Sequence, residues 1–146
     1  MVDARNLSGL ILCGGLSSRM GGGDKCLLPL RGRPILDHII ARATPQLDRL
    51  AISANGDATR FASYGLPVLP DTVPGFAGPL AGILTGLNWA SELSNCQGLI
   101  SMAGDTPFFP DDLEFAINHS DLSVGERGGN SYPPGIEIHL VKLVVR

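Results

Sequence analysis

The hydrophobic pattern alternates between two kinds of segment. Residues 9–13, 50–54, 67–69 and 98–103 are short runs with little or no polar interruption, as expected of strands covered on both faces. Between them lie stretches with helical spacing. Leu36, Ile39, Ile40 and Ala43 recur at three and four, predicting a helix with Pro34 in its first turn. Pro45 is expected to kink or end that helix, with Thr44 capping a second short piece reaching Asp48. Asp57 caps a short helix over 58–64 that Gly65 closes. A helix over 80–91 is expected to turn Ile83, Leu84, Leu87 and Ala90 inward. A last one over 110–118 has Asp111 and Asp112 at its positive end. Residues 1–8 read as a disordered lead, and 26–30 as an extended apolar segment turned by Arg31-Gly32-Arg33-Pro34. Residues 121–135 have no clear period, while 136–146 alternate as a strand would.

Strands alternating with helices at this spacing predict an α/β fold: an open, mostly parallel twisted sheet with helices on both faces. The 146 residues read as a single domain, with 121–146 atypical, and a chain of that size buries roughly 70% of its extended surface. In such sheets ligands bind outside the carboxyl ends of the strands. A glycine-rich stretch follows the first strand, Asn55 the second, Asp71 the third and Asp105 the fourth, so one ligand could touch them all.

Composition removes several classes of function. A net charge of −3 gives no basis for binding nucleic acid or an anionic membrane surface. No window approaches the ~18 apolar residues of a membrane span. Cys13, Cys26 and Cys96 lack disulfide or metal-ligand spacing, which points to structural thiols in a reduced, cytoplasmic chain.

The candidate chemistry sits at the strand ends. Residues 14–25 hold five glycines together with Arg19 and Lys25. Glycines let backbone N–H groups converge on a small anion, and two cations neutralise it, so the stretch reads as a phosphate-binding loop. It is neither of two common phosphate loops: Lys25 follows Asp24 and precedes Cys26, and Gly14-Gly15 leads into Leu16-Ser17-Ser18-Arg19. Asp105 is placed to hold Mg²⁺ against phosphate oxygens, though an aspartate there also suits a turn or helix cap. Asn55 and Asp71 are equally at home in turns, but the Asn55 amide could read a base edge or ribose. Gly78-Pro79-Leu80-Ala81-Gly82 is either ordinary helix-start chemistry or a rigid turn facing a flat base. His38, His119 and His139 have no partner in view and read as structural, and Ser17 and Ser18 lack a nucleophile-elbow context.

Leu12-Cys13-Gly14-Gly15-Leu16-Ser17-Ser18-Arg19-Met20-Gly21-Gly22-Gly23-Asp24-Lys25 resembles the L-A-G-G-x-S-x-R-M-G-x-D-K signature of molybdenum cofactor guanylyltransferases. So do the Asn55 strand end, Pro70-Asp71, Gly78-Pro79-Leu80-Ala81-Gly82-Ile83 and Gly104-Asp105-Thr106-Pro107-Phe108, in order over residues 10–118. The first motif alone marks only the wider nucleotidyltransferase superfamily, whose Rossmann-like fold the resemblance implies. It further implies transfer of GMP from GTP to molybdopterin with release of pyrophosphate, with Mg²⁺ as cofactor. The backbone at Leu12, Cys13 and Gly14 would hold GTP, with Lys25, Asn55 and Asp71. Asp105 would bind GTP and the metal, and Arg19 and Lys25 would neutralise the reacting phosphates. Transient contact with molybdoenzymes or other cofactor-biosynthesis proteins is a further implication. Cys13 stands where the family usually has alanine, and residues 123–146 do not resemble the family's C-terminal half. The alternatives are a related nucleotidyltransferase using CTP or a sugar-phosphate acceptor, and a non-catalytic nucleotide-binding protein.

Overall fold

Strand β1 (Leu7–Leu12) is apolar on both faces, which makes it the centre of a sheet. In the computed structural model, which describes residues 3–13, 24–72, 79–105, 107–119 and 138–142, Leu7, Leu10 and Ile11 are all buried. After it come the hairpin β2 (Pro29–Leu30) and β3 (Arg33–Pro34), helix α1 (Ile35–Ala43), β4 (Arg49–Ser53) and β5 (Val68–Leu69). Helix α2 (Pro79–Ser91), β6 (Gly98–Ala103), α3 (Leu113–His119) and β7 (Ile138–Lys142) complete the order. β1 pairs in parallel with β4 on one side and β6 on the other, with Leu12 opposite both Ser53 and Ala103. β5 lies parallel beside β4, and β7 closes the other edge antiparallel to β6. The sheet order β5-β4-β1-β6-β7 is the open, mostly parallel arrangement expected from the sequence.

Helices cover both faces. On one, Leu36 and Ile39 of α1 and Leu113 and Ile117 of α3 pack with Ile11, Ile52, Ile100 and Met102. On the other, Ala90 of α2 packs with Leu10, Ala51 and Leu99. Arg42 of α1 donates to the Phe109 carbonyl (2.9 Å), and Gln46 accepts from the Leu113 N–H (2.6 Å). These bonds tie the end of α1 to the segment after β6.

Several local expectations are corrected. Residues 4–6 form a 3₁₀ turn capped by Asp3, and β1 begins at Leu7, because Leu7 and Ser8 are buried rather than part of a loose lead. Thr44 is the C-cap of α1, its hydroxyl turned back to the Ile40 carbonyl (2.7 Å), and no second helical piece follows. Residues 26–30 are a 3₁₀ turn (Lys25–Leu27) leading into β2, and Arg31 and Gly32 at φ 52° and 79° supply the positive φ that a tight hairpin requires. Helix α3 starts at Leu113, with the Asp112 carboxylate accepting from the Phe115 N–H (3.0 Å). Of the residues expected on the inward face of α2, Ala90 is buried and Leu87 packs against the core, but Ile83 and Leu84 are only half-buried and the rest of the face is Ala81, Gly82, Thr85 and Gly86. Close helix–sheet approach is the reason: a Cβ on Gly82 would lie 2.6 Å from Ser53 Oγ and 3.2 Å from Leu12 Cδ2. The short helix over 58–64 forms as expected, as a 3₁₀ helix capped by Asp57 and closed by Gly65 at φ 66°.

Candidate functional site

The register brings the carboxyl ends level. Leu12, Ser53, Leu69 and Ala103 form one row, so Asn55, Asp71 and Asp105 each stand two residues beyond it. Backbone bonds hold the rim together. Cys13 N–H donates to the Ser53 carbonyl (2.9 Å), Ala54 N–H to Leu69 (3.1 Å) and Gly104 N–H to Leu12 (3.0 Å). Gly104 is required there, since a Cβ would fall 2.7 Å from the Leu12 carbonyl oxygen and 3.2 Å from Cys13 Sγ.

Asn55 and Asp71 form one unit. The Asn55 Nδ2 donates to Asp71 Oδ2 (2.9 Å), and its Oδ1 accepts from the Asp71 N–H (2.8 Å). The carbonyl end of the amide is thereby occupied, and among the described residues the second amide hydrogen has no partner. The next residue, Thr72, donates its N–H to Thr85 Oγ1 of α2 (3.4 Å), and that hydroxyl donates to the Ala81 carbonyl. Two neighbouring elements therefore fix the position of the Asp71 carboxylate.

Lys25 opens the 3₁₀ turn at the end of the glycine-rich stretch and is exposed. Asp105 is also exposed, and neither charge makes an ion pair or side-chain hydrogen bond with another of the described residues. Cys13 and Cys26 flank the stretch and are buried against Gly104. The Cys13 thiol is held above the usual thiol range first by the neighbouring Cys26 sulfur, toward which it keeps its hydrogen, and then by burial. His38 Nε2 bonds the Leu30 carbonyl (2.7 Å), the structural role expected of it. Arg19, Gly14, Ser17, Ser18 and Gly78 lie outside the described residues, as do the side chains of His119 and His139.

Sequence reasoning missed Arg60. Its guanidinium bonds both oxygens of Asp24 (2.6 and 3.3 Å), the Asn55 carbonyl (2.7 Å) and the Asp57 carbonyl. The only sequence signal was an arginine three residues after a helix-capping aspartate, which says nothing about a partner 36 residues away.

The profile of the MobA-like NTP transferase domain matches residues 9–121, which contain every strand end that builds the rim. The chain belongs to that family.

Among relatives of this MobA-like chain, a molybdenum cofactor guanylyltransferase from Mesorhizobium japonicum is 60% identical over 135 residues, covering 88% of this chain and 65% of that protein. One from a Bradyrhizobium species is 51% identical over 132 residues, covering 86% and 62%. The chain thus spans about two thirds of the length of these relatives. The solved structure of a molybdopterin-guanine dinucleotide biosynthesis protein A from Archaeoglobus fulgidus shares the fold, with a TM-score of 0.54, 21% identity, and coverage of 70% of this chain and 49% of that one. The resemblance read from the motifs is borne out by these relatives. Among the described residues, no helix is long and apolar enough to cross a membrane.

Proposed function

We propose that the chain binds GTP at the carboxyl rim of its sheet and transfers GMP to molybdopterin, releasing pyrophosphate. The observation that carries this reading is the level row of strand ends, beyond which Asn55, Asp71 and Asp105 each follow by two residues, while Arg60 ties Asp24, the residue before Lys25, to the Asn55 carbonyl. The guanylyltransferase relatives support the choice of nucleotide and acceptor.

A phosphate oxygen of molybdopterin attacks the α-phosphorus of GTP. The bond from that phosphorus to the bridging oxygen breaks, and pyrophosphate leaves. No protein nucleophile is needed, so the residues act by positioning and charge. The backbone at Leu12 and Cys13, continuing into Gly14 in the sequence, would meet the nucleotide on one side, and the Asn55–Asp71 clasp on another. Lys25 and Arg19 neutralise phosphate charge. The donor chemistry suits Mg²⁺: two exposed carboxylates, Asp71 and Asp105, follow strand ends of the rim, Asp71 held by Asn55, and Mg²⁺ commonly takes one or two carboxylates together with substrate phosphates. Asp105 would hold the ion, which when bound offsets charge on the phosphates. Three free, buried cysteines agree with a cytoplasmic setting.

The test is pyrophosphate release with Mg²⁺ and molybdopterin, supplying GTP, CTP, UTP or ATP in turn. Release that is fastest with GTP is expected. Preference for CTP or UTP, or tight Mg·GTP binding without release, contradicts the reading.

A further inference from the structure

Among the described residues near the rim, Arg60 is the most fully engaged side chain. Its Nε and Nη2 reach the two oxygens of Asp24, Nη2 also donates to the Asn55 carbonyl, and Nη1 donates to the Asp57 carbonyl. Its guanidinium carbon lies 4.5 Å from the centroid of the Phe61 ring, which is itself fully buried. The side chain is 27% exposed, and that of its partner Asp24 is 19%. A fork held on both sides of a carboxylate and stacked on a core ring is geometrically fixed, unlike a surface ion pair between two mobile chains.

The placement of Asp24 gives this fork a consequence. Asp24 immediately precedes Lys25, on the segment proposed to meet a triphosphate. An unpaired carboxylate there would repel the ligand and offset the neighbouring ammonium. We propose that Arg60 is a positioning residue of the nucleotide site. It clamps the Asp24 carboxylate and the Asn55 carbonyl together, fixes the end of the glycine-rich stretch against the end of β4, and cancels the negative charge beside Lys25. A polyphosphate then meets a segment of net positive charge. This role rests on the reading of the rim as a nucleoside triphosphate site, but it concerns the phosphates and not the base.

Binding is measured by calorimetry with the Mg²⁺ complexes of GTP, CTP, UTP and inorganic tripolyphosphate, on wild type, R60Q, R60K and the double variant D24N/R60Q. R60Q is expected to bind both GTP and tripolyphosphate about tenfold more weakly, the scale of one charge contact at a protein surface. R60K keeps the charge but loses the fork and is expected to fall about threefold. D24N/R60Q is expected to return to within about threefold of wild type, although its melting temperature stays below that of wild type, because the repelling carboxylate is gone while the clamp is still missing. A merely structural role predicts the opposite for the double variant, with affinity following stability. Equal affinity of R60Q and wild type, or a loss that D24N does not restore, overturns the proposal. Preference of wild type for CTP or UTP would overturn the guanylyl reading alone, since the tripolyphosphate ratio still decides the role of Arg60.

Discussion

Gly86→Ala tests whether α2 lies as tightly on the sheet as the rim requires. Two effects of opposite sign compete. Alanine in place of glycine within a helix favours folding by about 1 kcal/mol. Against that, the new Cβ would lie 2.5 Å from Leu10 Cδ2, 3.1 Å from Leu99 Cδ2 and 3.3 Å from Leu10 Cδ1. Leu10 and Leu99 are both completely buried and packed with Ala51, Ala90 and Cys96, so neither side chain can swing into open space. Overpacking a closed site of this kind costs roughly 1–3 kcal/mol. The packing term wins, leaving a net loss of about 1 kcal/mol. For a chain of this size that lowers the melting temperature by roughly 3 °C. Thermal and urea unfolding followed by circular dichroism would show a lower midpoint with an unchanged urea slope. An equal or higher melting temperature would refute the reasoning, because the helix would then stand off the sheet by more than contact distance.

Three further outcomes are expected. Asp105→Ala should leave the melting temperature within a degree or so of wild type, since the side chain is exposed, while Mg²⁺-dependent pyrophosphate release falls about a hundredfold or more; normal turnover would remove Asp105 from the site. Asp57→Ala should melt below wild type at pH 7, because the Thr59 N–H, and secondarily its hydroxyl, hold the Asp57 carboxyl below its usual range. A depressed carboxyl stabilises the fold above its unfolded pKa of ~3.9, so the difference between the two proteins should close as pH falls below about 4, and a gap that persists in acid argues against the cap. Cys13 should resist an aromatic disulfide reagent in the native protein even at pH 9 and react at once in denaturant, because it is buried and the neighbouring Cys26 and that burial hold its thiol above the usual range; fast native labelling at that residue would contradict the packing around Gly104.

The sheet was legible because its strands carry an unambiguous signal. The apolar run at β1 has no polar face to present to water, and strands alternating with helices leave few topologies. The strand-end positions of Asn55, Asp71 and Asp105 followed from that alone. What was not legible depends on distance in sequence or on close packing. Nothing local marks Asn55 and Asp71 as partners 16 residues apart, or Arg60 as the partner of Asp24. The face of α2 was read correctly at Leu87 and Ala90 and misjudged at Ile83 and Leu84, because large apolar residues were expected inside. Gly82 and Gly86 instead let the helix backbone approach, which leaves Ile83 and Leu84 on its flanks. Thr44 was misread because a hydroxyl beside a proline suits the start of a helix as well as its end.

The central claim is that the carboxyl rim is a nucleoside triphosphate site with Asp105 at its mouth. The most direct measurement is an amide NMR titration of the ¹⁵N-labelled chain with Mg·GTP. Shifts concentrated at Leu12, Cys13, Lys25, Asn55, Asp71 and Asp105 are predicted, with residues at the opposite end of the strands, such as Arg49 and Gly98, unmoved. Saturable shifts centred on Arg49, Trp89 and Leu93 at that far end, or no shifts at all, would contradict the account.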